Sequence, residues 1–266
     1  MSDGARAPQI DTTRPHSARV WNWLLGGKDH YEVDTAAGEK IVEVFPGMID
    51  IARQSRYMLS RAVRFLAAEA GIRQFLDIGT GLPTVDNTHE VAQRVAPTSR
   101  IVYVDNDPLV LLHAKALLVG TPEGETAYVQ ADVRRPAAIL REAAATLDFT
   151  QPTALMLMGI MGLVGDDEQP HAIVNELMAA LPPGSYLALY DGCDTDPAYV
   201  SAIRGYNAAS RAVPYTPRSV EQITAFFDGT ELLDPGVVTV SQWRPDPGPW
   251  GEPPAVACSG GVGLKR

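Results

Sequence analysis

Residues 74–81, Q-F-L-D-I-G-T-G, decide how the rest of the chain is arranged. Phe75, Leu76 and Ile78 are apolar at nearly consecutive positions, as in a strand covered on both faces of a parallel sheet. Gly79 and Gly81 then let the backbone turn tightly and approach a ligand with no Cβ in the way. A glycine turn alone is a weak signal. Two carboxylates sharpen it: Asp77 just before the turn, and Asp105 at the end of the next apolar run.

Downstream, strand and helix alternate. Pro83 opens a helix over 84–95, and a second strand, 100–104, ends in Asp105-Asn106-Asp107-Pro108. A helix over 109–118 leads to a third strand, 126–130, ending in Ala131-Asp132-Val133. A helix over 137–147 and an almost wholly apolar fourth strand, 153–158, come next. A helix over 168–181 and a fifth strand, 185–190, run into Asp191-Gly192. This alternation predicts an α/β fold with a doubly wound, Rossmann-like parallel sheet. Helical runs at 198–211 and 217–227 follow. A terminal strand pair, 237–240 and 255–264, is joined through the proline-rich W-R-P-D-P-G-P-W-G-E-P-P.

Upstream, R-P-H-S-A-R-V-W-N-W-L-L-G-G-K-D (14–29) starts with Pro15 and a capping-type Ser17. It carries Val20, Trp21, Leu24 and Leu25 at helical spacing and stops at Gly26-Gly27. Asp34 is placed to cap a helix over 35–44. An amphipathic helix over 51–70 carries Arg53, Arg56, Arg61 and Arg64, expected mostly on a solvated face, and ends at Gly71. Residues 1–13 are expected to be a disordered tail, 14–70 a helical cap, and 71–266 the sheet domain, with cap and sheet forming one globular unit. The cap suits either a layer packed on the domain edge or a lid. Consecutive glycines beside Lys28, Asp29, His30 and Tyr31 would supply the hinge of a lid.

The 266 residues are 45% apolar, enough for one large domain with a substantial core. A formal net charge of −10 and the lack of a basic stripe speak against nucleic acid as the main partner. Cys193 and Cys258 form no CxxC pair and no leader is evident, so two free thiols in a reducing cytoplasm are expected. No apolar run is long enough to span a membrane, and the five histidines are scattered without a metal-ligand pattern.

In an open α/β sheet, ligands sit at the carboxyl ends of the strands. Asp77 with Gly79 and Gly81, then Asp105, Asp132 and Met158-Gly159, all fall there. A carboxylate after the second strand can accept both hydroxyls of a ribose, and one after the third can accept an adenine amine. Each aspartate alone would serve equally as a helix cap; four signals in register are harder to explain that way. The nicotinamide dinucleotide pattern needs a third glycine, where this chain has Leu82, Pro83 and Thr84. Asp77 would also repel a pyrophosphate, whereas it suits a cation such as S-adenosylmethionine.

L-D-I-G-T-G-L-P-T, N-T-H-E-V-A and I-V-Y-V-D-N-D-P resemble a family of bacterial S-adenosylmethionine-dependent methyltransferases. So do the N-terminal A-R-V-W-N-W-L-L-G-G-K-D and the late D-P-G-V-V-T-V-S-Q-W-R-P-D. The resemblance covers about residues 14–265 and implies a class I methyltransferase sheet of seven strands, the last antiparallel. It implies that Asp77, Gly79, Thr80 and Gly81 hold the methionine part of the cofactor. Asp105 would bind the ribose diol with Asn106 beside the adenine, Asp132 and Val133 would contact the adenine, and Met158 and Gly159 the amino group. Two departures stand out: Pro83 replaces the usual third glycine, and Met161-Gly162-Leu163 lies where relatives carry a histidine.

Arg56 is a further candidate, since arginine pairs bidentately with a carboxylate such as the cofactor's. Methyl transfer needs alignment and water exclusion, and a base only if the acceptor arrives protonated. Asp191, Tyr190, Tyr31 and His30 are the candidates for that base, while His89 and His171 are expected at the surface. The expected function is methyl transfer from S-adenosylmethionine to a small-molecule acceptor. A non-catalytic S-adenosylmethionine-binding regulator and an NAD-linked oxidoreductase remain as alternatives.

Overall fold

β1 (Gln74–Ile78) is buried along its whole length and pairs in parallel with β2 (Arg100–Asp105) on one side and β4 (Ala154–Met158) on the other. β3 (Glu125–Gln130) extends the sheet beyond β2, and β5 (Tyr186–Gly192) extends it beyond β4, also in parallel. The chain therefore reverses its winding at β1 and β4, which puts a crevice at their carboxyl ends. The computed structural model describes residues 10–117, 120–249 and 251–266.

β8 (Cys258–Leu264) runs antiparallel to β5. Two short strands, β6 (Glu231–Leu232) and β7 (Val238–Thr239), pair with its other edge. Leu232 stands opposite Gly263 and Val238 opposite Gly260, so β6 and β7 lie end to end in one position. Among the described residues, the eight strands thus occupy seven places in the order β3-β2-β1-β4-β5-β8-β6, and the last long strand is the antiparallel one, as expected. β6 is too short to show a period of two, and sequence reading missed it.

Alternation along the strands divides the core. Phe75, Ile101, Met156 and Ala188 join a cluster with α1 (Ser17–Leu24), α2 (Glu32–Val44), α3 (Met48–Ala68), α4 (Thr88–Val95) and α8 (Pro197–Ala209). Leu76, Val102, Leu155 and Leu187 join the opposite cluster with α6 (Pro136–Ala143), α7 (Pro170–Ala179) and α9 (Val220–Thr224). α5 (Pro108–Leu117) follows β2, and Leu109 and Val110 pack with Leu82 over the glycine turn.

Several expectations are corrected. The helix after the glycine turn begins at Thr88, not at 84, because Asp86 takes φ +58° and Glu90 Oε2 accepts the Asn87 amide at 2.8 Å. Residues 82–87 are left as a loop. α7 begins at Pro170 because Gln169 takes φ +54°. β5 continues through Asp191 and Gly192, which pair with Ser259 and Cys258, so Asp191 lies within the strand and not in a loop. His16, not Ser17, holds the N-cap position of α1, and Asp34 lies inside α2, where its carboxylate accepts the Tyr31 and His16 amides at 2.9 Å.

Arg61 is not on a solvated face. It is buried, with Nε on Trp243 O at 2.9 Å and Nη2 on Val240 O at 2.7 Å, and so fastens the C-terminal chain to α3. His89 is buried as well and meets the Tyr103 hydroxyl at 2.9 Å, while His171 is exposed. Of the expected tail, residues 1–9 lie outside the described residues, but Ile10 packs against the Leu82 cluster and Asp11 O accepts from Arg19 at 3.0 Å. Both cysteines are free and buried. Among the described residues no helix is long and apolar enough to cross a membrane.

Candidate cofactor and acceptor site

Gly79 and Gly81 both have positive φ, +78° and +68°. A Cβ at Gly79 would come within 2.7 Å of Ile160, whereas one at Gly81 would meet no atom within 4 Å. The turn is therefore closed against the protein at Gly79 and kept clear at Gly81. The Gly81 amide donates to Asp105 Oδ2 at 2.9 Å, and Asp107 donates to Oδ1 at 2.9 Å, so the β2 carboxylate clamps the turn from the neighbouring strand.

One large cavity opens at this switch point. From the end of β1 it is lined by Asp77, Gly79, Thr80 and Gly81, and from the end of β2 by Asp105 and Asn106. Asp132 and Val133 come from beyond β3, Met158 and Gly159 from β4, and Arg56 from α3. Every residue expected at a cofactor is thus brought to the same wall. Of the four candidate bases, Tyr190 lines the same cavity and the other three do not. Asp191 is fully buried behind the wall. His30 turns its ring onto Gly27 O at 3.1 Å and Thr35 Oγ1 at 3.0 Å, and Tyr31 lies under the Arg19 guanidinium at 5.3 Å.

The wall is acidic. Burial pushes the Asp77 carboxyl up to about 6, and the nearby Asp105 charge adds to this, against the Thr88 hydrogen bond and the Arg56 charge. Asp105 is likewise raised by burial, with the Asp107 and Gly81 amides opposing. Asp77 Oδ2 accepts Thr88 Oγ1 at 2.6 Å. Asn106 Nδ2 stands 3.3 Å from Asp132 Oδ2, which links the β2 and β3 loops. The cations of the wall are largely engaged. Arg134 bonds Asp132, Glu168 and Leu163 O, and Arg56 bonds Val85 O, Asp86 O and Asn87 Oδ1. A net acidic wall around a clear glycine turn fits a ligand with a sulfonium and an ammonium, and disfavours a pyrophosphate.

Sequence reading missed other parts of the cavity. His16 at the N-cap of α1, Trp21 within it, and Tyr199, Tyr206 and Tyr215 line it too. Tyr215 lies in P-Y-T-P-R, and the prolines on either side were the one hint of a stiff, extended segment there. Arg218 is buried and bonds Met161 O and Val164 O at 2.7 Å, so it shapes the loop after β4.

A doubly wound sheet with one antiparallel strand, a glycine turn after β1 and carboxylates after β2 and β3 defines the class I methyltransferases. The family model described as S-adenosyl methyltransferase matches residues 3–266, and the chain belongs to that family, whose methyl donor is S-adenosylmethionine. It is similar to a DUF574 family protein from Streptomyces avermitilis, at 44% identity and TM-score 0.93, over 97% of this chain and 100% of that one. It is also similar to a candidate methyltransferase from Thermobifida fusca, at 42% identity and TM-score 0.88, over 97% and 98% of the two chains. The N-methyltransferase NodS of Bradyrhizobium japonicum, solved with S-adenosyl-L-homocysteine, shares the fold at 12% identity and TM-score 0.50, over 87% and 97%. No curated protein matches the chain. Membership sets aside the nicotinamide reading.

Proposed function

We propose that this protein methylates a small-molecule acceptor held beneath the helical cap, with its cofactor lying across the strand ends of β1 to β4. The observation that carries this is the convergence of the β1 turn, Asp105, Asp132, Gly159 and Arg56 on one acidic cavity that apolar and aromatic side chains also line. When bound, S-adenosylmethionine supplies a methyl group already activated by the sulfonium. The Asp77–Gly81 turn would hold its methionine part, with Met158 and Gly159 at the amino group and Arg56 Nη1, which has no partner among the described residues, at the carboxylate. Asp105 would take the ribose diol, and Asn106, Asp132 and Val133 the adenine. The cap, residues 14–70, would act as the lid that excludes water while the acceptor is aligned.

Calorimetric titration with S-adenosylmethionine, S-adenosylhomocysteine and NAD tests this reading. Saturable binding of both sulfur nucleosides, weakened at least about tenfold in Asp105→Asn, is the expected result. Binding of NAD alone would overturn it.

A further inference from the structure

Gly162, in the turn after β4, and Gly192, at the end of β5, leave a space that two tyrosines fill. A Cβ at Gly162 would collide with the Tyr215 ring, and one at Gly192 with the Tyr199 hydroxyl. Tyr215 belongs to an extended strap between α8 and α9 that is fastened on every side. The Asn207 side chain takes both Tyr215 backbone groups, at 2.9 and 2.7 Å. The Thr216 amide donates to Gly162 O at 2.7 Å, and the Arg218 amide to Gly192 O at 3.2 Å. A side chain held this firmly has little rotamer freedom left to lose on meeting a ligand.

The Tyr215 hydroxyl donates to Asp191 Oδ1 at 2.8 Å and accepts the Gly192 amide at 2.8 Å. A phenol oxygen has two lone pairs, so one remains for a donor in the cavity that Tyr215 lines. Behind it, Asp191 is fully buried; Oδ1 also accepts the Gly162 amide at 3.0 Å, and Oδ2 has no partner among the described residues. A buried carboxylate with an idle oxygen costs stability. The Tyr199 hydroxyl stands beside Tyr215 at Gly192, and Trp21, Leu25, Ile203 and Val213 give the same cavity apolar lining.

We infer that this end of the cavity takes a flat, apolar acceptor bearing a neutral hydroxyl, of the phenol or enol class, and that Tyr215 is the catalytic residue that receives its hydrogen bond. Asp191 is the positioning residue behind it. This rests on the methyl-transfer reading above. The acceptor oxygen donates an electron pair to the methyl carbon, and the carbon–sulfur pair stays on sulfur as a neutral thioether. The acceptor proton passes to Tyr215 Oη while the Tyr215 proton passes to Asp191 Oδ1, and once the product has left it returns through Tyr215 to water in the cavity. Burial raises the Asp191 carboxyl to about 6, against the Tyr215 and Gly162 hydrogen bonds and the Arg218 charge, so it is ionised at neutral pH and within range of a useful base. A carboxylate acceptor would face the Asp191 charge and the acidic wall of the same cavity.

The test uses 2-naphthol, 2-methoxynaphthalene, 2-naphthylmethylamine and 2-naphthoate as probes. Each is titrated calorimetrically into protein saturated with S-adenosylhomocysteine, and methyl transfer is followed separately by mass spectrometry of the products. The expected result is that 2-naphthol binds at least about tenfold tighter than the other three. Tyr215→Phe loses that preference while S-adenosylhomocysteine affinity stays within about twofold, which reports an intact fold. Asp191→Asn keeps 2-naphthol binding but loses about 100-fold in kcat together with the acid limb of the pH profile. The inference is overturned if the methyl ether binds as well as the naphthol, if the amine or the acid binds best, if Tyr215→Phe keeps the preference, or if no probe binds to nucleoside-loaded protein. In all four cases the cofactor reading stands. Failure to bind S-adenosylhomocysteine at all would remove both.

Discussion

His16 Nδ1 lies 3.1 Å from Asp107 Oδ2, which ties the first helix of the cap to the loop that carries Asp105. The same nitrogen is 3.3 Å from the Ala18 amide, and it cannot both accept there and donate to Asp107. At the N-cap of α1 the nitrogen accepts from Ala18, and Asp107 Oδ2 has no hydrogen-bond partner among the described residues. Cap position and cofactor loop are coupled through this pair. His16→Ala is expected to weaken S-adenosylhomocysteine binding about threefold. Calorimetry decides it, and an unchanged affinity would uncouple cap from loop.

Arg19 is buried between two carboxylates, with Nε 3.5 Å from Asp34 and 3.8 Å from Asp107. Its other nitrogens bond Asp11 O at 3.0 Å and Arg14 O at 3.1 Å. Arg19→Met leaves buried negative charge without its counter-ion, and a loss of about 3 kcal/mol is expected. Differential scanning calorimetry should show a drop in Tm on the order of 6–10 °C; a shift within error would mean that the cap contributes nothing to global stability.

Gly79 and Gly81 differ in what their backbones exclude. Gly79→Ala adds a 2.7 Å approach to Ile160 to the strain of φ +78°, and should destabilise by about 3 kcal/mol. Gly81→Ala meets no protein atom, so it should cost only about 1 kcal/mol of backbone strain. It should nevertheless reduce S-adenosylhomocysteine affinity at least about tenfold, because the new methyl stands where the turn is kept clear. Melting and titration of the two variants side by side separate these effects. Wild-type affinity in Gly81→Ala would show that no ligand approaches the turn.

Asp77 and Asp191 both sit at about 6 through burial. A carboxyl whose folded value is raised binds more protons folded than unfolded between about pH 4 and 6, so each makes stability fall as pH rises through that window. The size is on the order of 2–3 kcal/mol per group. Arg218, Tyr190, Tyr199, Tyr215 and Cys258 surround Asp191, and Arg56, Asp105 and Tyr103 surround Asp77. Glu168, held down to about 2 by Arg134, acts in the opposite sense and only at more acid pH. Urea unfolding from pH 4 to 7 should show a shallower decline in Asp77→Asn and in Asp191→Asn than in the wild type. Affinity for S-adenosylmethionine should move the other way, weakening below about pH 6 as Asp77 loses its charge. Parallel curves for variant and wild type would refute both.

Much of the sheet was legible because its information is local. The run from Phe75 to Ile78 and the glycines after it announce a buried strand and a turn from neighbours in sequence alone. The positions of Asp105, Asp132 and Gly159 follow from counting strand ends. Helix starts were less legible. The stop signals at Asp86 and Gln169 are left-handed residues that do not stand out as glycines do. Arg61 and His89 were misplaced because polarity predicts exposure until a carbonyl or a hydroxyl from a distant segment satisfies the group, as Trp243 O and the Tyr103 hydroxyl do here.

By itself, the sequence determined the alternating α/β class, the order in which carboxylates meet the strand ends, and an acidic cavity suited to a cation. These depend on periodicity and spacing within each element. The tertiary structure alone decided that β6 and β7 share one edge of β8, that α1 roofs the cavity through His16 and Asp107, and that Tyr215 stands over Gly162 with Asp191 behind it. Those relationships join residues from 20 to 91 positions apart, and they exist only where packing brings distant segments to the same place.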